Sequence, residues 1–444
     1  MAWTTSATGS YELWLWDGAG SITITAEDRA YIYGEGGGPV QLAASQDALA
    51  LLLRNGGLLT WGSATSTAGC SQYRLPASEA EQLVEVAASD SAFAARDRTG
   101  RVVACGSRNR GGALPESLRS VMDGGAAGLV GSAGGAFAAW TTGAGRVFSW
   151  GSRRVGGVGS LSSLDEMQGV RKVWASEGAF AAVRNDGYVY TWGNCFYGGC
   201  LTGSRNAKGA ENREMIRVAH VFSGALAFTA LLPNQSVVAW GKTDRGGSIT
   251  SPVPPSVPVS YAVSSRGATC VLSQSNTSLT CWGAANFGGD SSEASRALQD
   301  AGSVKIGSLV NTDSAFALLV GSTVLAWGDE AMGGLAPASL AEKAVVQLVA
   351  SQGAFAALTL QGEVVVWGDP RYGGRLPEDW SEVMPGMVRR LVASLGGFLA
   401  LGSTGAGESV AVAWGDGYGY PFSYARLSAL LSPVNATFAS LYVV

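Results

Sequence analysis

The chain has 444 residues, of which 63 are glycine and only 14% are charged. Its 30 Lys and Arg residues and 34 Asp and Glu residues give a net charge of −4. Without a basic excess, we expect no nucleic-acid partner. No apolar run approaches the roughly 18 residues of a membrane-spanning helix, so we expect no membrane insertion. The first residues also lack the basic and apolar regions of a secretory signal.

A tryptophan, usually followed by glycine, returns along the chain at intervals of about 40 to 48 residues. Cys105 takes its place once, before Gly106, and Trp16 has the same phase but precedes Asp17. A fixed position in every unit is typical of a packing residue between repeats, and this interpretation is favoured over a role in light sensing or sugar stacking. The expected structural anchors are Trp16, Trp61, Trp150, Trp192, Trp240, Trp282, Trp327, Trp367 and Trp414.

The unit from Val345 to Pro377 shows the pattern of one repeat most clearly. Val345 to Ser351 and Ala354 to Leu360 read as strands, Gln361-Gly362 as a turn, and Glu363 to Trp367 as a third strand rich in β-branched residues. The middle strand recurs as an Ala-Phe-Ala motif in several other units. Segments such as Glu79 to Glu85 and Ser339 to Val345 are expected to add a helical turn between units. Short strands repeated in this way predict an all-β, propeller-like ring.

The two ends of the chain match complementary parts of one unit. Tyr11 to Gly18 resembles a third strand, and the segment from Asn435 onward resembles a second strand that stops before a third. We therefore predict one domain, 1–444, of about ten units, with the tenth shared between 1–20 and 428–444. Closure within one chain would pair exposed strand edges, whereas closure between chains would build a head-to-tail filament. A piece cut from a longer array would show the same match.

Three segments resemble the repeat of the regulator of chromosome condensation family of propellers: ATCVLSQSNTSLTCWGAANFGG from Ala268, VVVWGDPRYGG, and TWGNCFYGG. The resemblance extends over the whole chain and implies a β-propeller whose loops bind a protein partner. The family usually has seven blades, whereas about ten units are counted here. Its members include a nucleotide-exchange factor and an ultraviolet receptor. The receptor's Gly-Trp-Arg-His-Thr cluster is missing, since His220 is the only histidine, and function therefore does not transfer with the fold.

The loop after each third strand is the best candidate for partner binding. Radial repetition would place these loops on one face, and aromatic, Met and Arg side chains are typical anchors of protein interfaces. The alternative is that each side chain packs beneath its own glycine turn, as Val155 at the same position would. The candidates precede a Gly-Gly pair or its loose equivalent: Arg110, Tyr197, Arg245, Phe287, Met332, Tyr372 and Tyr418.

Six cysteines offer several pairings. Cys270 and Cys281 flank a predicted hairpin and could form a disulfide or remain two core thiols. The resemblance implies the disulfide, because family members from oxidising compartments often carry this Cys-Trp-Gly arrangement. Cys195 and Cys200 bracket a turn and could pair or bind metal, although the zinc signal is weak and no metal site is expected. Cys70 has Cys105 as its one evident partner, and this pairing is left open.

Three sequons could accept glycans, at Asn234, Asn276 and Asn435, the first two at predicted hairpin tips. Together with the Cys270 and Cys281 pair, they slightly favour an extracellular or lumenal location. The lack of a recognisable secretory signal argues against such a location.

No catalytic constellation or cofactor motif is recognisable, so we expect neither enzyme activity nor a cofactor. The leading hypothesis is a non-catalytic scaffold that binds another protein or a multi-subunit assembly. The alternatives are a structural subunit of a complex or filament joined through its terminal half-repeats, and a propeller that binds a glycan or small molecule.

Overall fold

The computed structural model describes residues 2–5, 11–14, 26–76, 78–122, 125–157, 167–200, 216–248, 259–273, 278–300, 306–384, 386–393, 396–403 and 409–415. Trp16, Tyr418, Asn276 and Asn435 lie outside these ranges. The chain divides into two compact units, a first unit of Thr23–Ser248 and a second unit made mainly of Met1–Ile22 and Ile249–Tyr442.

A hairpin of β1 (Ala2–Thr5) and β2 (Tyr11–Trp14) belongs to the second unit. The strand predicted from Tyr11 is therefore present, and its described partner is β1. Because 428–444 lie outside the described residues, the tenth unit shared between the two ends stays a prediction.

The first unit consists of helix α1 (Ala26–Tyr33) and five three-stranded antiparallel sheets, which we number as blades 1 to 5. Helix α2 (Glu116–Met122) follows blade 2. The blades are β3–β5 (Pro39–Ala44, Ala48–Leu53, Leu58–Gly62), β6–β8 (Leu83–Ala88, Ala92–Asp97, Val102–Gly106), β9–β11 (Ala126–Ser132, Ala136–Thr141, Val147–Gly151), β12–β14 (Val170–Ala175, Ala179–Arg184, Val189–Gly193) and β15–β17 (His220–Ser223, Ala227–Leu231, Val237–Gly241).

The second unit has four blades of the same form, numbered 6 to 9. Helix α3 (Ser292–Asp300) follows blade 6 and α4 (Trp380–Val383) follows blade 8. The blades are β18–β20 (Val259–Ser264, Ala268–Ser273, Leu279–Gly283), β21–β23 (Ile306–Asn311, Ala315–Val320, Thr323–Gly328), β24–β26 (Val345–Ala350, Ala354–Thr359, Val364–Gly368) and β27–β29 (Met387–Ala393, Phe398–Ser403, Ser409–Trp414).

Within each unit the first strands of consecutive blades lie side by side, as β3 does with β6 and β24 with β27. Each of the nine repeats described is thus one blade, and its tryptophan or cysteine is the last or next-to-last residue of the third strand. The predicted fold class, all-β with propeller-type repeats, is confirmed. The nine three-stranded sheets found in the described residues account for nine of the predicted units.

The core of each unit lies between successive sheets. Phe355 and Ala357 of β25 face blade 7, while Ala354 and Ala356 face blade 9. All four side chains are fully buried. The small alanines let neighbouring sheets approach closely, and the single phenylalanine fills the space that remains.

The segments expected to form helical turns between blades do so only in part. Residues Glu79–Glu81 and Ala338–Leu340 form single 3₁₀ turns, but Leu83 and Val345 already begin first strands. Both side chains are buried between blades. Burial of these residues in the sheet core therefore ends the turn earlier than the local sequence suggests.

Candidate functional site

A three-residue 3₁₀ turn follows the third strand of blades 2 to 8. Its start is stabilised where the preceding residue is Asn or Asp: Asn194 Oδ1 accepts a hydrogen bond from the Phe196 N–H at 2.9 Å. Each turn ends at a glycine with φ between +86° and +98°, a conformation that glycine adopts without strain. The turns are Arg108–Arg110, Arg153–Val155, Cys195–Tyr197, Thr243–Arg245, Ala285–Phe287, Glu330–Met332 and Pro370–Tyr372.

A side-chain hydroxyl fixes the end of the 3₁₀ turn. It comes from the residues between the first and second strands of the same blade. Ser351 Oγ donates to the Tyr372 carbonyl at 2.7 Å and Ser176 Oγ to the Tyr197 carbonyl at 2.8 Å. Ser89, Ser265 and Thr312 do the same in blades 2, 6 and 7. A buried hydroxyl paired in this way fixes the backbone of the loop relative to the sheet.

The aromatic candidates for partner binding are half-buried on glycines of their own blades. Tyr197 packs on Gly178 and Tyr372 on Gly353, at positions where a Cβ would collide with the ring. Phe287 lies on Gly267 in the same way, and Met332 Sδ also lies close to Gly353. Much of each side chain is therefore used within the protein, and its role toward a partner stays a prediction.

The two arginine candidates also have intramolecular partners. Arg110 Nε lies 3.1 Å from the Asp90 carboxylate, and its Nη1 donates to the Gly134 carbonyl of blade 3 at 2.9 Å. Arg245 is half-buried next to Asp244. Tyr418, the last candidate, lies outside the described residues.

The most exposed side chains of the turns are those of the first two residues, which the sequence analysis did not single out. Arg108, Arg153 and Arg154 are exposed, as is Phe196, with half of its surface accessible. The Lys242 ammonium lies 4.6 Å from the centre of the Phe196 ring. The position within the turn would have identified these side chains. The last residue of each turn folds back over the sheet, and the first two residues form the tip.

Glycine, phenylalanine and tryptophan together join consecutive blades. Trp150 Nε1 donates to the carbonyl of Gly111 in the preceding blade at 3.0 Å, and the Trp150 ring stacks on Phe137 with 5.4 Å between ring centres. Gly111 also lies directly against the Phe137 ring. The same indole–carbonyl bond is formed at Trp240, Trp327, Trp367 and Trp414.

Two tryptophans depart from this pattern. The Trp192 Nε1 atom is buried and has no hydrogen-bond partner. In blade 1, Trp61 Nε1 donates to the Asp28 carboxylate of helix α1 at 3.2 Å, and Arg74 pairs with the same carboxylate at 2.8 Å. Helix α1 therefore supplies for blade 1 the acceptor that a preceding blade supplies elsewhere.

Blade 2 replaces the tryptophan contact with a covalent bond. Cys105, at the tryptophan position, forms a disulfide with Cys70 in the loop that leaves blade 1. Both cysteines are buried, and Gly106 donates to the Ala68 carbonyl in the same loop at 2.8 Å. The pairing left open by the sequence is thus present, and it joins the same two elements that an indole and a glycine carbonyl join in other blades.

The remaining four cysteines are also paired. Cys270 and Cys281 face each other across β19 and β20 and form the disulfide that the resemblance implied. Cys195 and Cys200 close the turn that carries Phe196. Asn234 is exposed at a hairpin turn, where its side chain accepts hydrogen bonds from Ser236.

An aromatic and cationic cluster lies on the first strands of blades 4 and 5. The His220 ring contacts Trp174 edge-on at 5.6 Å, and the Lys172 ammonium lies 5.0 Å from the Trp174 ring. Partial burial, with the positive charges of Lys172 and Arg171, lowers the pKa of His220 below its ordinary value.

No group of three or more His, Cys, Asp or Glu residues in the described ranges could hold a metal ion. Among the helices described, none is both long and apolar enough to cross a membrane.

The repeated three-stranded blades define the class of this protein, an all-β chain of propeller-type repeats. No protein-family model matches the chain, and no curated protein matches its sequence.

Solved structures that resemble it are propellers of several kinds. The receptor kinase CR4 ectodomain from Physcomitrella patens is 20% identical, with 69% of this chain and 78% of that one covered and a TM-score of 0.37. Yeast RCC1 (Prp20), solved bound to Kap60, is 13% identical, with 63% and 81% covered and a TM-score of 0.37. The ACR4 ectodomain from Arabidopsis thaliana is 17% identical, with 65% and 93% covered and a TM-score of 0.32. At these TM-scores the likeness supports no inference about activity.

Proposed function

We propose that the protein is a non-catalytic interaction scaffold whose 3₁₀ turns bind a protein partner. The observation that carries this proposal is the repeated fixation of these turns. In blades 2, 4, 6, 7 and 8 a hydroxyl–carbonyl bond holds the turn, and the terminal glycine rests on the next blade. Loops fixed in this way lose little conformational freedom when a partner binds, which favours affinity.

The tips of three consecutive turns in the first unit supply suitable chemistry. Arg108 of blade 2, Arg153 and Arg154 of blade 3, and Phe196 of blade 4 are all exposed. Arginine and aromatic residues contribute most to binding energy at protein interfaces. A partner with acidic groups opposite the arginines and an apolar pocket for Phe196 would fit this row of tips.

The side chains singled out from the sequence would have a supporting role in this surface. Tyr197, Phe287, Met332 and Tyr372 are half-buried, so each offers one edge to a partner while its other side packs on glycine. Arg110 would stay paired with Asp90.

The proposal is tested by comparing partner capture by the wild-type chain, Phe196→Ser and Leu360→Ser. Leu360 is 65% exposed but lies at the second strand–third strand turn, at the other end of its blade. We expect Phe196→Ser to lose a protein that both the wild type and Leu360→Ser retain, and the purified pair to show the same difference. Identical binding by all three would overturn the proposal.

A further inference from the structure

A groove of about 1250 Å³ runs along the third strand of blade 2, and we name it the β8 groove. Its floor is β8 itself, from Val102 to Gly106. One wall is the loop that holds Tyr73, and the other is the start of helix α2 with Arg119. Pockets for small ligands usually measure about 300–1,000 Å³, so this groove has room for something longer. It lies along the side of the blade, and Arg108 at its end is the one lining residue that also belongs to the tip of the 3₁₀ turn after β8.

The outer edge of β8 carries free backbone groups. In an antiparallel pair, successive residues alternate between bonding the partner strand and facing away from it. The Asp97 N–H donates to the Arg101 carbonyl, and the Ser107 N–H donates to Ser91. Residues 101, 103, 105 and 107 therefore face β7, whereas Val102, Ala104 and Gly106 face outward.

Only one of these outward residues uses its N–H within the protein. The Gly106 N–H donates to the Ala68 carbonyl at 2.8 Å. No described residue forms a hydrogen bond with the outward N–H and C=O groups of Val102 and Ala104. These groups point into the groove, and together they offer two donors and two acceptors to an added strand.

Two other blades use a single group of the corresponding edge within the protein. The Val189 N–H on the outer edge of β14 donates to the Ile216 carbonyl at 3.3 Å. The Leu279 carbonyl of β20 accepts from Ser295 Oγ of helix α3 at 3.0 Å. An uncovered edge strand can pair with another chain, and proteins usually protect such edges. The open groups of β8 are therefore available to a strand from another chain.

The charge of the β8 groove indicates what kind of segment would fit. Arg101 and Arg108 lie at opposite ends of β8, and Arg119 lies on the α2 wall, against the single carboxylate of Glu116. Arg108 is exposed and forms no ion pair with any described residue, while Arg101 and Arg119 form only solvent-exposed pairs. Such exposed pairs contribute little and exchange readily. Burial raises the pKa of Tyr73, which lines the same groove, and the positive charges of Arg101 and Arg119 oppose this rise.

We propose that the β8 groove binds an extended acidic peptide of a partner protein, which adds a fourth strand to blade 2. Main-chain bonds to Val102 and Ala104 would supply affinity, and the three arginines would select acidic side chains. At about 3.4 Å per residue, the seven steps from Arg101 to Arg108 span about 24 Å. A segment of seven or eight residues would therefore reach both terminal arginines.

The experiment measures binding of a fluorescein-labelled octapeptide, Glu-Thr-Glu-Val-Glu-Thr-Glu-Val, to the full chain by fluorescence anisotropy. Three further peptides serve as probes. One has Lys in place of every Glu, and the other two carry N-methyl groups on alternate residues, one peptide for each register. We expect the acidic peptide to bind, the Lys peptide not to bind, and one N-methylated register to fail because it removes the bonding N–H groups. Binding should weaken as salt increases.

Two variants probe the site, each with a matched control elsewhere in the chain. Ala104→Pro removes one outward N–H without breaking a bond to β7, and Ala326→Pro makes the same change on the outer edge of β23. Arg108→Glu reverses an exposed charge, and Arg296→Glu does so on helix α3, away from both proposed surfaces. We expect Ala104→Pro and Arg108→Glu each to raise Kd about tenfold, and both controls to leave it unchanged.

Several outcomes would overturn the proposal. These are no binding of the acidic peptide, equal binding of the Lys peptide, or equal losses in the control variants. A dimer in analytical ultracentrifugation that Ala104→Pro dissolves would assign the edge to a second copy of the chain instead. If Ala104→Pro fails to fold by circular dichroism, the comparison of Arg108→Glu with Arg296→Glu and the two N-methylated peptides still test the proposal.

Discussion

Comparing Gly111→Ala with Gly143→Ala should show how much the contact between two blades contributes to stability. The backbone strain of alanine in a left-handed turn is common to both variants. Gly111 has φ of +96°, and a Cβ there would lie 2.5 Å from Phe137 Cδ2 in the next blade. Gly143, in the hairpin of blade 3, has φ of +68° and nothing within 4 Å of its Cβ position. Both alanines would meet the same kind of backbone strain, but only one would collide with a neighbouring blade.

The two costs can be worked out separately. A non-glycine residue in the left-handed region costs about 1–2 kcal/mol, which applies to both variants. Forcing an extra methyl into a packed core costs about 1–3 kcal/mol more, which applies only to Gly111→Ala because Phe137 is fully buried. We therefore expect Gly111→Ala to destabilise the protein by about 2–5 kcal/mol and Gly143→Ala by about 1–2 kcal/mol.

The assay is equilibrium unfolding in urea followed by tryptophan fluorescence, with the free energy of unfolding taken from the first transition. Hydrogen exchange at the Trp150 indole provides a local reading, since its bond to the Gly111 carbonyl should lengthen in Gly111→Ala and stay intact in Gly143→Ala. Equal destabilisation by the two alanines would refute the reasoning, because the contact between Gly111 and Phe137 would then contribute nothing.

Three further predictions concern other junctions and the single histidine. Trp150→Phe should destabilise the protein by about 1–3 kcal/mol more than Trp192→Phe in the same urea assay, because only the first leaves a buried carbonyl unpaired; similar losses would argue against the indole bond. Changing both Cys70 and Cys105 to alanine should lower stability by about 4 kcal/mol, the chain entropy of a 35-residue loop, and added reductant should then have a smaller effect than on the wild type. Since the folded pKa of His220 is below its ordinary value, the unfolded chain binds more protons around and just below pH 6.5, and stability should decrease as the pH is lowered through that range. His220→Gln should flatten this dependence, and an unchanged profile would show that other groups cause it.

The sequence predicted the blades well because their signal repeats. The third strand was identified from its tryptophan and the middle strand from its Ala-Phe-Ala motif, and Val345 to Trp367 forms three strands as expected, within a residue or two. These elements recur with the same burial in each blade, so every copy reinforces the others. The helical turn predicted around Glu79–Glu81 was too long. The sequence signal there is local, whereas packing against the neighbouring sheet determines where the strand begins.

The candidate surface was predicted less well. Comparison of the residue before each Gly-Gly pair led to Tyr197 and Tyr372, whose rings lie on glycines more than 15 residues away in sequence. Phe196 and Arg108 lie at tip positions whose residue type changes from blade to blade, with arginine repeated only at Arg153 in the position of Arg108, so they give no periodic signal. The β8 groove could not be predicted from the sequence either. Whether the edge of β8 is covered depends on the positions of the following loop and α2 rather than on the residues of β8.

The disulfide between Cys70 and Cys105 makes the junction between blades 1 and 2 sensitive to reducing conditions. In a chain of repeats, stability is roughly the sum of each unit and its contacts with its neighbours, so the weakest junction opens first. The other junctions described depend on apolar contact and hydrogen bonds, which reductants do not affect. Reduction would remove the covalent link between blades 1 and 2 and leave blade 1 to open as a unit with helix α1. The other two disulfides lie within blade 6 and within the turn after blade 4, so the other junctions would keep their indole and glycine contacts.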